Sequence, residues 1–338
     1  MINIVYRLKS PKFFEEAIDD IELKDVVVRP TYLSICQADQ RYYQGSRPSD
    51  VLSEKLPMAL IHEAIGEVIF DSKNVFNPGD KVVMIPNTPF GEDEFRANYS
   101  KLSKFRGSGF DGFTSDLVCL SHDRLVKLPS NFNLQVSSFI ELMSVAYQGI
   151  MKFNEFKKVS CKVLGVWGDG NLGYITALFL KELFSDSKII VFGKHIENLN
   201  LFSFADEIYL IHEVPNDLKI DHAFECVGSA ASQSAIEQII DLINPQGTVN
   251  LFGVSEYPIP INTRMVLEKG LTLQGNSRSE REDFEGVVNI LQKNPQLFNY
   301  LSKLVTNVCE IKSIDDLRTS FDKDYISDFG KTILKWEI

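Results

Sequence analysis

No stretch of the 338 residues approaches the ~18 consecutive apolar positions a membrane-spanning helix requires. The first twenty, MINIVYRLKSPKFFEEAIDD, carry charge throughout where a secretory signal would have an apolar core. A cytoplasmic chain is the expectation. Cysteine is sparse and odd in number: Cys36, Cys119, Cys161, Cys226 and Cys309 are widely scattered, unlike a disulfide framework and in keeping with a reducing compartment. Any working cysteine is therefore read as a ligand or nucleophile rather than a crosslink. An excess of basic residues is also missing. Thirty-five Lys plus Arg against 46 Asp plus Glu leave a net charge of -11, which argues against a broad phosphate-backbone footprint and against nucleic acid as a partner. There is no internal repeat and no low-complexity segment. What remains is an ordinary globular composition, 44% hydrophobic, long enough for about two domains.

From residue 21 to about 130 the chain reads as short strands cut by turns: KDVVVRPTYL, AIGEVIFD, KVVMIP, SDLVCLS and RLVKLP, with NPGDK between two of them. This predicts an all-β unit, a compact barrel. Near Glu141 the texture changes. VAYQGIMKF leads into alternating strands and helix-length segments, CKVLGVW, LGYITALFLKELF, KIIVFG, HAFECVG, a helix at about 232–243, GTVNLFG and GLTLQG, ending near residue 276. Such alternation predicts βαβ units and a parallel sheet. Helices of a different rhythm follow, and the chain closes on a short strand, KTILKWE.

Between the strand CKVLGVW and the helix after it lies Gly168-Asp169-Gly170-Asn171-Leu172-Gly173, a G-x-G-x-x-G in the strand-loop-helix setting that makes the pattern informative. Gly168 turns the chain, Gly170 admits a pyrophosphate to the backbone, Gly173 lets helix pack on strand, and the helix start at Asn171 and Leu172 supplies N–H donors. About twenty residues on, an NAD site usually offers Asp or Glu to the ribose 2′-hydroxyl. Here the strand ends Gly193-Lys194-His195. The missing carboxylate removes repulsion against a 2′-phosphate, the glycine leaves room, and Lys194 and His195 bring positive charge and donors. The expectation is NADP(H). The alternative is that both are solvated loop residues and Glu197 serves as the ribose acid.

Cys36 ends one predicted strand, and His62 and Glu63 lie at the start of another. Sulfur, imidazole and carboxylate are a ligand mixture zinc accepts, and three ligands with an open position describe a catalytic site. Taken singly, His62 is more often a satisfied core histidine and Cys36 a small buried hydrophobe. The ordered set CQAD, IHEAIGEV, NPGDKV, IELMSVAYQG and GDGNLG resembles the zinc-dependent medium-chain dehydrogenase/reductase family over essentially the whole chain. That resemblance implies an α/β chain: a GroES-like β-barrel catalytic domain, residues 1–141 completed by 278–338, plus a Rossmann domain with a doubly wound parallel sheet, residues 142–277. It implies Cys36, His62 and Glu63 as zinc ligands, with Asp39 of the Cys-x-x-Asp pattern among the catalytic residues and Val227 among the cofactor contacts. IELMSVAYQG is similar to the polyol dehydrogenase branch, in which a glutamate at the Glu141 position faces zinc directly or through water; a helix-capping role is the alternative. Two departures matter. The stretch where many relatives bind a second zinc, NTPFGEDEFRANYSKLSKFRGSGFDGF, has no cysteine, so one Zn²⁺ per chain is implied. Ala38 stands where relatives place Ser or Thr as the first step of a proton relay, so that relay cannot run through residue 38.

A zinc site of this kind polarises a carbonyl, so a ketone or alcohol substrate is expected. Arg41, Tyr42, Tyr43 and Arg47 follow Cys36 closely, and GNSRSER brings Arg278 and Arg281 just after the last Rossmann strand. Arginine forks suit phosphate and tyrosines suit sugar hydroxyls, although each residue taken alone is more often a surface or interface side chain. CQADQRYY and VFGKHIENLNLFSFAD resemble the group of bacterial ribulose-5-phosphate reductases that supply ribitol 5-phosphate for CDP-ribitol, a precursor of teichoic acids and capsules. The resemblance implies NADPH-dependent reduction of this phosphorylated ketose, with Arg278, Arg41 and Tyr42 toward substrate. It also implies a homodimer through the edge formed by GTVNLFG and the helix after it; contact with a cytidylyltransferase follows only from pathway order. A zinc polyol dehydrogenase acting on an unphosphorylated sugar alcohol, and a non-catalytic NADP(H)-binding protein, are the competing readings.

Overall fold

The computed structural model describes residues 1–91, 95–157, 159–327 and 329–338. The chain divides into two compact units, Met1–Ser144 with Arg278–Ile338, and Val145–Ser277.

In the first unit the β-branched run Val26–Ser34 pairs antiparallel with Glu63–Asp71, and Glu63–Asp71 with Lys81–Met84. These belong to a seven-stranded sheet. The C-terminal strand Lys331–Trp336 joins it beside Val26–Ser34, so residues some 300 positions apart become neighbours. The strands read from KDVVVRPTYL, AIGEVIFD, KVVMIP, SDLVCLS and RLVKLP are all present. The N-terminal hairpin Ile2–Ser10/Phe13–Asp20, left unread in the sequence, covers one end. Its second strand, FFEEAIDD, leaves Phe13 and Ile18 exposed and so lacks clean apolar alternation. The core between these layers is aliphatic and aromatic, including Leu33, Val82, Met84, Tyr43, Phe113 and Phe321.

In the second unit six parallel strands follow the spatial order Glu207–Leu210, Lys188–Gly193, Val163–Trp167, His222–Glu225, Thr248–Leu251, Thr272–Gly275. Numbered along the chain this is 3-2-1-4-5-6, the Rossmann arrangement, with its switch point where Val163–Trp167 meets His222–Glu225. The four central strands are buried on both faces, which explains their near-continuous apolar character. Among the described residues no helix is long and apolar enough to cross a membrane.

Candidate active site

Two constellations stand out, one in each unit. In the first, the Cys36 sulfur, a His62 ring nitrogen and a Glu63 carboxylate oxygen lie within 4.8 Å of one another. Tetrahedral bonds of 2.0–2.3 Å require ligand separations of about 3.3–3.8 Å, so a soft, an imidazole and a hard donor are already gathered at a spacing zinc can close. Cys36 immediately precedes the helix Gln37–Tyr43, while Glu63 opens the strand Glu63–Asp71 and His62 immediately precedes it.

Asp39, fully buried, ties these pieces together. Its Oδ2 accepts from the Cys36 N–H at 3.1 Å, its Oδ1 accepts from the Ile61 N–H at 3.0 Å, and His62 Nδ1 lies 3.4 Å from Oδ1. With Nδ1 directed at this carboxylate, Nε2 is the nitrogen left for a metal. The backbone before His62 is strained: buried Ile61 has φ +69°, unusual for a β-branched residue. Asp39 and the Phe113 N–H, which donates to the Ile61 carbonyl at 2.9 Å, hold it there.

Charges interact strongly in this pocket. Burial works against protonation of His62, yet Asp39 and Cys36 outweigh it and raise its pKa well above the usual value. Burial pushes the Glu141 carboxyl up to about 7, with His62 opposing and Glu63 reinforcing the shift. Glu141 sits in the first turn of the helix Ile140–Phe156, outside the three-residue ligand group. Lys331 was not anticipated. Its ammonium reaches Glu63 Oε1 at 2.9 Å and Oε2 at 2.8 Å and donates to the Ile35 carbonyl at 2.8 Å, all deep inside the unit. Burial alone would lower its pKa, but Glu63 reverses that. A lysine at the start of the strand KTILKW is the sole trace it leaves in the sequence, because its partner lies 268 positions away.

The arginine and tyrosine expectations need correction. Tyr42 is 1% exposed, packed in the core with its hydroxyl 3.5 Å from Ser108 Oγ and the Arg47 guanidinium over its ring. Tyr43 is fully buried and donates to Asp322 and to the Arg318 carbonyl. Both belong to the inner face of a short helix. Arg281 pairs with Glu285 and donates to the His122 carbonyl. Arg41 is half-buried in the last turn of the helix Gln37–Tyr43. Arg278 differs from all of these. Half-buried, with φ +55°, it lies over the Phe105 ring at 5.4 Å and has no ion pair with a described residue. The same ring stands 5.4 Å from the His62 imidazole. Burial lowers the Arg278 pKa, with no acid among the described residues to offset it, which suits a cation that takes an anionic ligand.

In the second unit a cavity of about 510 Å³ opens at the strand ends around the switch point and is lined by Gly168, Gly170, Gly193, Lys194, His195 and Val227. Asn171, Leu172 and Gly173 form the first helical turn beside it. Gly168 has φ +127°, and a Cβ on Gly173 would stand 1.9 Å from the Gly168 carbonyl, so helix and strand approach as only glycine allows. A Cβ on Gly170 would meet nothing within 4 Å, so the space beside this glycine is open, as a cradle for a pyrophosphate requires. Lys194 is exposed and without an ion pair among the described residues. Asp169, which the sequence reading passed over, also lines this cavity.

A barrel unit with a gathered sulfur, imidazole and carboxylate, joined in one chain to a dinucleotide fold, defines a medium-chain dehydrogenase. Residues 22–130 match the alcohol dehydrogenase GroES-like domain, and residues 202–293 match the zinc-binding dehydrogenase family. The chain is 52% identical over 340 residues to ribulose-5-phosphate reductase 1 of Staphylococcus aureus, covering 99% of each, and 50% identical over 341 residues to ribulose-5-phosphate reductase of Bacillus spizizenii, covering all of both. The crystal structure of S. aureus TarJ in complex with NADPH superposes with a TM-score of 0.91 at 48% identity, over the full length of both chains. The chain belongs to the zinc-binding dehydrogenases, in the group that contains these reductases.

Proposed function

We propose that the chain is a cytoplasmic, zinc-containing ribulose-5-phosphate reductase that uses NADPH to make ribitol 5-phosphate for CDP-ribitol synthesis. Full-length identity of 50–52% to reductases of that name supports the substrate. The observation that carries the phosphate is Arg278, a half-buried cation with no acid among the described residues, one aromatic ring away from His62.

Zinc would be held by Cys36, His62 and Glu63; when bound it supplies Lewis-acid polarisation of the ketone, and NADPH supplies the hydride. Asp39 fixes the His62 tautomer. Lys331 balances the Glu63 charge. Glu141 stands close enough to these groups for their charges to couple, and a carboxyl with a pKa of about 7 holds or releases a proton at neutral pH. We assign it to a water-bridged position rather than to direct ligation, because it falls outside the gathered set. It also offers a proton route that does not need a hydroxyl at Ala38. Gly168, Gly170 and Gly173 receive the pyrophosphate, Val227 borders the same cavity, and Lys194 with His195 meets the 2′-phosphate. Arg278 takes the substrate phosphate, with Arg41 as second candidate.

A homodimer is part of the proposal: the strand Thr272–Gly275 closes the Rossmann sheet with an outer side that no described strand pairs, in the segment after GTVNLFG. Association with a cytidylyltransferase, the next enzyme in order, has no structural support. The test is NADPH consumption with D-ribulose 5-phosphate, with and without a chelator. Turnover that disappears on chelation and returns with zinc is expected; equal activity in metal-free enzyme would remove zinc from the mechanism. No oxidation of NADPH by the ketose phosphate would remove the substrate.

A further inference from the structure

We propose that Asp169 determines cofactor preference, by positioning the two residues that face the 2′-phosphate and by closing the place a competing acid would occupy. This rests on the reading of the chain as an NADPH enzyme. The position usually examined for preference is the strand end, here Gly193, and the sequence predicts no carboxylate there. The structure brings one from the opposite side. Asp169 reaches across from the glycine loop, and a single oxygen, Oδ2, takes the Lys194 N–H at 2.8 Å, the His195 N–H at 2.7 Å and His195 Nδ1 at 3.1 Å.

Three consequences follow. Both backbone donors after the strand end are consumed, so the segment is fixed in direction and its side chains, not its amides, are what it presents. With Nδ1 held by the carboxylate, the His195 ring, 61% exposed, offers Nε2 outward. Beside it the Lys194 amine is exposed and free of ion pairs with described residues. The negative charge of Asp169 is itself spent on three donors in a side chain only 15% exposed, so it repels an approaching phosphate far less than a strand-end acid would.

A further consequence is steric. A Cβ on Gly193 would stand 2.6 Å from Asp169 Cβ and 2.9 Å from both Cγ and Oδ2. An acid at residue 193 and Asp169 therefore cannot coexist in this geometry. Glycine at 193 is required by Asp169 as well as by the phosphate, and the change usually expected to confer NADH use would fail alone.

The experiment measures dissociation constants for NADPH and NADH by fluorescence titration of the full-length zinc-loaded enzyme, with thermal melts of every variant. Asp169→Ala is expected to weaken NADPH about tenfold, equivalent to ~1.4 kcal/mol, while NADH changes by less than about twofold; Asp169→Asn, which keeps the shape and loses the charge, shows a smaller loss of the same selectivity. Gly193→Asp weakens both cofactors, and adding Asp169→Gly to it restores NADH binding and inverts the preference. Equal weakening of NADPH and NADH in Asp169→Ala, or NADH binding by Gly193→Asp as tight as by the double variant, overturns the proposal. A wild-type preference for NADH would instead remove the underlying NADPH reading, and it would show before any variant is made.

Discussion

Replacing Arg278 by alanine isolates the proposed phosphate contact from the chemistry. The guanidinium is half-buried, rests on Phe105 at 5.4 Å and has no carboxylate among the described residues, so burial alone acts on its charge and lowers its pKa. An entering phosphate dianion relieves that penalty as well as adding its own attraction. Charge-assisted contacts contribute about 1.5–3 kcal/mol. Partial burial limits solvent screening, so a loss near 2 kcal/mol is expected, roughly 30-fold in kcat/KM. The loss falls mainly on KM, since phosphate is remote from the carbon that accepts hydride and binds alike in ground and transition states.

The assay compares D-ribulose 5-phosphate with D-ribulose. Arg278→Ala should lose the 30-fold with the phosphorylated ketose and change the unphosphorylated one by less than about threefold, since that substrate never used the contact. Arg278→Lys keeps charge without the fork and should fall between. The cation–π contact with Phe105, worth about 0.5–1 kcal/mol, is lost from free and bound enzyme alike and registers in thermal stability instead. A uniform loss with both ketoses would mean Arg278 supports the pocket generally. No loss with either would place the phosphate elsewhere, Arg41 being next.

Gly170→Val should leave stability within about 1 kcal/mol, because its Cβ has open space and the backbone there, φ -92°, ψ -173°, suits any residue; NADPH affinity should drop more than tenfold by titration, and unchanged affinity would move the pyrophosphate off this loop. Lys331→Met leaves Glu63 buried without its counter-ion, so urea unfolding of the metal-free enzyme should show about 3 kcal/mol of destabilisation or more, with Glu63→Gln in the same chain recovering most of it; a double variant no better than the single would show that the loss is one of packing. Asp71 accepts three backbone N–H groups at 2.8 Å and His122 at 2.7 Å, with its side chain 1% exposed. Burial works against its charge, but these donors prevail and hold the pKa at about 2. A depressed folded-state pKa stabilises fully above the ordinary 3.8 and is lost as pH falls toward 2, so Asp71→Asn should cost about 2 kcal/mol at pH 7 and flatten the stability profile between pH 4 and 2; an unaltered profile would refute this.

What the sequence disclosed follows from how local each feature is. The glycine loop is read from six consecutive residues, since turn, cradle and helix contact are all made within them. Parallel strands buried on both faces announce themselves as short apolar runs. Cys36, His62 and Glu63 required the order of several motifs, because each alone has a commoner role in a core. Tyr42 and Tyr43 were misread because a seven-residue helix spans barely two turns, too few for periodicity to show which face turns inward. Lys331 and Asp169 were missed for a different reason: each acts on a partner that sequence distance hides, 268 positions away for one and across a strand-helix crossover for the other. Polar side chains whose function is to orient another polar group leave no pattern of their own.

That orienting layer also explains the charge balance of the metal pocket. Asp39 and Glu63 are fully buried with Cys36 beside them, and Glu141 is 5% exposed. One ammonium, Lys331, stands against this set: burial, reinforced by Glu63 and Asp39, drives the Glu141 carboxyl up to about 7, and Asp39 and Cys36 draw the His62 pKa well above its usual value against the effect of burial. Protons thus do part of the neutralising. A divalent cation held by Cys36, His62 and Glu63, as proposed, would replace them, so zinc uptake should release protons and stabilise the barrel unit by linkage. Lys331 then has a second consequence: by hydrogen-bonding Glu63 Oε1 and lying 2.8 Å from Oε2 it keeps that carboxylate's charge partly satisfied, so the ion would compete for Glu63 rather than receive it free. Metal affinity measured by competitive chelation should therefore rise in Lys331→Met even as the metal-free fold weakens, and a fall in affinity would show that Lys331 supports the site by shape alone.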